Sequence, residues 1–132
     1  MTIAPDLIDT LLTPEKLKDL FPETRADQFF EALLGAADDG AYDITLVYTG
    51  IQAGQLHFNF QLHQRPEKCL SCGLTHGLPH VFARHPVIDV RGVVTAIDDL
   101  LADKANCRSW ELGKTREISA EMHVIPLMIE IE

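Results

Sequence analysis

Basic residues are scarce in this sequence, with 11 Lys and Arg against 20 Asp and Glu, a net charge of -9 and a pI near 5.0. Nucleic acids and anionic membranes both need a positive surface, to release counterions or to meet lipid headgroups, so neither is an expected partner. Long apolar runs are lacking as well: no stretch approaches the roughly 18 residues of a membrane-spanning helix. The opening Met1-Thr2-Ile3-Ala4-Pro5-Asp6 has no basic segment ahead of an apolar one. A cytoplasmic protein, neither exported nor anchored, is the expectation. Cysteine occurs only 3 times, an odd number that suits a disulfide framework poorly in a chain without an export signal. The sequence also lacks a Gly-rich phosphate loop, a Gly-x-Ser-x-Gly elbow, a His-Glu-x-x-His pair and a kinase set, which favours a protein that is not an enzyme. Internal repeats and low-complexity tails are absent too.

What is present is ordinary globular composition: 132 residues, 46% hydrophobic and 23% charged, with a mean hydropathy of +0.03. A chain of this length buries about two-thirds of its unfolded surface, so it reaches stability on its own core. Residues 1–132 are expected to form one domain, a helical N-terminal segment over 1–40 followed by a ββ-loop-αββ core over 41–132.

Thr13 before Pro14 and Glu15 reads as an N-cap with proline at the first helical position, and this short helix should end near Pro22. A second helix over residues 22–34 places Ala26, Phe29, Phe30, Leu33 and Leu34 on one stripe, with Gly35 as its stop. That stripe is read as core packing. Residues 42–49 and 55–64 alternate as two strands joined by a loop over 50–54. The second strand carries Leu56, Phe58, Phe60 and Leu62 on one side and His57, Asn59, Gln61 and His63 on the other, a polar row that faces water or floors a ligand pocket. A third helix is predicted over 89–101, capped by Asp89 and slightly weakened by Gly92, with Val90, Val93, Val94, Ile97 and Leu101 facing inward. Strands over 109–118 and 121–131 close the chain as a hairpin, and Pro126 should put the last strand at an edge or a bulge. The predicted class is α+β, a mostly antiparallel sheet with helices on one face.

Chemistry-bearing residues gather in the middle. Five of the six histidines, His57, His63, His76, His80 and His85, fall between positions 57 and 85, together with Arg65, Lys68, Arg84 and, just beyond, Arg91. Lys68-Cys69-Leu70-Ser71-Cys72-Gly73-Leu74 looks like a zinc knuckle, because two thiolates separated by two residues can grip one tetrahedral ion. A second Cys-x-x-Cys is missing, so the remaining ligands for zinc or another soft metal would be His76 and His80, with His85 and Cys107 ranked below them. Gly77 and Pro79 argue against an unbroken helix there, and Pro79 to Pro86 reads as a short turn. A thiol redox pair at Cys69 and Cys72 is the competing reading, although Arg65-Pro66-Glu67-Lys68 intervenes between strand and motif, unlike a thioredoxin site. Two thiols without site chemistry is the third.

Residues 25–33 (RADQFFEAL), 62–66 (LHQRP), 84–88 (RHPVI) and 112–117 (LGKTRE) together resemble a small family of uncharacterised bacterial proteins that carries a pancreas/duodenum homeobox-type label. The resemblance implies a single-domain bacterial cytosolic protein and no activity. A homeodomain's basic recognition helix and arm have no counterpart in these acidic or apolar helices. The reading as a whole is a small binding or accessory domain. Arg65, Lys68, Arg84 and Arg91, with His57 and His63 nearby, are its candidate contacts to a small anionic ligand or to another protein. A homodimer supported by Phe29, Trp110 and an edge strand at Pro126 is the reading without site chemistry.

Overall fold

The computed structural model describes residues 8, 10–22, 24–36, 40–68, 78–101 and 105–131. Helices α1 (Pro14–Leu20) and α2 (Thr24–Leu34) lead into strands β1 (Tyr42–Gln52) and β2 (Gln55–Gln64). Helices α3 (Leu78–Arg84) and α4 (Val90–Leu101) follow, and then β3 (Cys107–Leu112), β4 (Arg116–Glu117) and β5 (Met122–Ile131). The strands form one antiparallel sheet in the order β1-β2-β5-β3, with β4 also paired to β5. The class is α+β, as the periodicities predict.

Local chemistry explains most of these elements. The Thr13 side chain accepts the Lys16 N–H at 3.4 Å, and Pro14 takes the first position, where no N–H is needed. Asp89 accepts the Gly92 N–H at 3.1 Å and so caps α4, whose Val90, Val93, Val94, Ile97 and Leu101 are all buried. Helix α3 replaces the expected turn. Pro79 lies in its first turn, where a proline costs no hydrogen bond, and buried Phe82 anchors it.

One face of the sheet meets the helices. Leu56, Phe58, Phe60 and Leu62 of β2, with Ile44 and Leu46 of β1 and Ile125, Leu127 and Ile129 of β5, share a core with α1 to α4. A chain of ring contacts runs through it: Phe21 to Phe60 at 5.4 Å, Phe60 to Phe82 at 5.7 Å, Phe82 to Phe29 at 5.7 Å. These edge-on contacts join α1, β2, α3 and α2.

The ends of elements differ from the sequence reading. β1 runs on to Gln52 past a bulge between Tyr48 and Gly50, and the turn is only Ala53 and Gly54, both with positive φ, the geometry that matches strand twist. Leu33 and Leu34 are half exposed, because the apolar stripe of α2 extends one turn beyond the part the core covers. The expected strand over 109–118 is two pieces, β3 and β4. Pro126 lies in β5, flanked by β2 and β3 rather than at an edge. Its carbonyl accepts the Gly113 N–H at 2.8 Å, so its nitrogen faces the same side, where β3 has ended and β4 has not begun. No ladder donor is lost there. Of the residues expected to support a homodimer, Phe29 is fully buried and Pro126 sits on an inner strand, while Trp110 is partly exposed on β3.

Candidate functional site

The helix-free face of the sheet is where the described residues form a polar cleft. His57, Asn59, Gln61 and His63 point to this face, opposite Met128, Pro126, Val124 and Met122 of β5. At the bulge, Thr49 is the extra residue of β1, and its hydroxyl donates to the His57 carbonyl at 3.0 Å. Gly50 supplies the backbone this requires, with φ at 147°, which side-chained residues rarely adopt. The distortion opens a cleft of about 660 Å³ lined by Thr49, Gly50, Gln52, His57, Asn59 and Arg116 among others. Arg116 arrives on β4, which pairs with β5 rather than with β1 or β2. Its guanidinium is exposed and makes no ion pair among the described residues.

The other sequence candidates are dispersed. Cys69, Cys72 and His76 lie outside the described residues. His80 is exposed in the first turn of α3. His85 serves the fold: its Nδ1 accepts the Val87 N–H at 3.1 Å and its ring stands edge-on to Phe29 at 4.8 Å. His63 lies 3.1 Å from Gln61 on the sheet face, six positions along the strand from His57, or about 20 Å. Lys68 is exposed, and its amide donates to the Arg65 carbonyl at 3.1 Å. Arg84 and Arg91 are exposed on α3 and α4, in the helical layer on the other side of the sheet from His57.

Arg65 is a structural residue. Its guanidinium bonds Asp27 of α2 at 2.7 Å and Asp43 of β1 at 3.0 Å and covers the Phe30 ring, with 14% of the side chain exposed. It ties α2 to the sheet and leaves little room for a ligand.

Cys107 stands at the end of the sheet opposite the C-terminal end of β2. It pairs with Ile131, beside the start of β2. Its thiol is pushed up to about 12 by burial, then by the charge of Asp98 and a hydrogen bond to it. Among the described residues, no group of three or more His, Cys, Asp or Glu is placed to hold a metal ion.

Sequence reasoning found His57 and Asn59 through the alternation of β2 but missed Thr49 and Arg116. The bulge carried a weak signal in Thr49-Gly50, and the register of β4 carried none. Compared with family models, curated proteins and solved structures, the chain matches none. No described helix is long and apolar enough to cross a membrane.

Proposed function

We propose that this protein is a small cytoplasmic binding domain, rather than an enzyme, and that it takes a small anionic ligand on the helix-free face of its sheet. The observation that supports this is the meeting of Arg116 from β4 with His57 and Asn59 from β2 in one cleft. An arginine without an ion pair presents a planar fork that matches a carboxylate or phosphate. The His57 ring and the Asn59 amide add hydrogen-bonding groups, and the cleft's volume is that of an ordinary small-molecule site. Inorganic phosphate titrated into the labelled protein is expected to shift the Thr49, Gly50, His57 and Asn59 amide resonances to saturation. Arg116→Ala should weaken that binding about tenfold, the worth of one charge-assisted contact. Absence of saturable shifts, or shifts indifferent to both Arg116→Ala and His57→Ala, would overturn the assignment.

A second reading concerns residues 69–77. The spacing of Cys69 and Cys72, followed by the exposed His80 at the start of α3, favours a structural or regulatory zinc or other soft metal held with His76. Elemental analysis of protein purified without chelator should then find about one zinc or iron per chain. Protein that holds no metal and takes up no added zinc would defeat this reading and leave a Cys69 and Cys72 redox pair as the alternative.

A further inference from the structure

The helix-free face of the sheet carries charges of both signs, set apart from one another. Across β2, β5 and β3 the register places His57, Met128 and Glu111 in one row and Gln55, Glu130 and Ser109 in the next. Glu111 and Glu130 are therefore diagonal neighbours on this face. Both are exposed, and among the described residues neither makes an ion pair. The Ser109 hydroxyl donates to the Glu130 carboxylate at 3.0 Å and orients it. Two carboxylates placed as cross-strand neighbours repel each other unless a cation stands between them.

With Gln55, Ser109 and Met128 they line a hollow of about 210 Å³. Arg108, the extra residue of the β3 bulge, is not in its wall. The hollow adjoins the cleft that holds Arg116, His57 and Asn59, because Met128 of the one stands opposite His57 of the other. The His57 and Glu111 positions are two strand spacings apart, roughly 10 Å. Arg116 and the two carboxylates thus share one uncovered face without an ion pair to join them, and each side has space beside it.

Resting on the anion-binding reading of the cleft, we propose that cleft and hollow together take a short peptide with both termini free. Its carboxylate lies on Arg116 beside His57, and its ammonium lies between Glu111 and Glu130. Length selects this ligand: an extended chain advances about 3.3–3.6 Å per residue, so three residues cover the roughly 10 Å between the two ends. A free α-amino acid, with both groups on one carbon, reaches only one end. Bare phosphate satisfies Arg116 and leaves the two carboxylates facing each other. The side-chain amides of Gln55 and Asn59, two positions either side of His57 on β2, supply hydrogen-bond partners for the peptide groups in between.

The test is titration of trialanine into the labelled protein, beside N-acetyl-trialanine and ε-aminocaproate. Trialanine is expected to shift the His57 and Asn59 amide resonances and those of Ser109 and Glu111 along one saturation curve. It should bind about tenfold more tightly than the acetylated peptide, which lacks the ammonium. Glu111→Gln with Glu130→Gln, both at exposed positions, should remove that difference. Trialanine that binds no more tightly than its acetylated form, or that leaves the Ser109 and Glu111 amides unmoved, overturns the proposal. Equal affinity for ε-aminocaproate overturns it as well, since the site then reads two charges and no peptide. Phosphate separates this failure from that of the cleft. Phosphate that saturates while trialanine fails overturns the peptide alone and leaves the anion site standing; phosphate that also fails removes both.

Discussion

Cys107 and Tyr42 hold their protons more tightly in the folded chain than in the unfolded one. For Cys107 the causes are burial and the neighbouring Asp98 carboxylate. For Tyr42 burial raises the phenol, and Arg65 opposes it only in part. Both groups are neutral in the native state, so the stability they contribute is complete while the unfolded chain also keeps them protonated. It declines once the unfolded thiol begins to ionise near pH 9 and the unfolded phenol near pH 10. The urea midpoint should therefore hold steady up to pH 9 and fall from there toward pH 12, with a shallower fall in Cys107→Ala and in Tyr42→Phe. A midpoint that rises over that window would contradict the burial of both groups. Of the six ligand or partner contacts read from sequence, His57 alone lies in the cleft. Composition shows that Arg65 is a cation in a histidine-rich region, but its two carboxylates come from positions 27 and 43, and no local pattern announces a pairing over that separation.

At the scale of elements, Gly40, just ahead of β1, stands hard against α2. A Cβ on Gly40 would collide with the Phe30 ring, which is itself packed against Phe29 at 5.3 Å and Tyr42 at 4.8 Å. Gly40→Ala is expected to destabilise the protein by about 1–3 kcal/mol, the usual cost of forcing a methyl into a filled core. Chemical denaturation measures it, and an unchanged midpoint would show that the ring can move aside. Gly92 gives a related lesson. As a helix residue it looks like a small defect, yet a Cβ there would strike the Asp89 carboxylate that caps the helix. Helices α1 and α4 were legible because cap and stripe lie within a dozen neighbouring residues. Helix α3 was not, because its stability comes from Phe82 docking on Phe29 and Phe60, contacts that distant elements supply.

At the scale of the molecule, sequence alone determined the α+β class, the inward residues of α4 and β2, the caps at Thr13 and Asp89, and the polar row on the back of β2. Those features follow from periodicity and from side chains bonding to backbone three positions away, which a linear chain records directly. Tertiary structure decided where each strand stands. β5 enters between β2 and β3, so Pro126 becomes an inner residue opposite a gap, β1 becomes the outer edge, and Arg116 comes to face the cleft that His57 lines. Strand order and register depend on contacts between residues far apart in the chain, and the energy of such contacts is set by the shapes that meet there, which no single segment contains.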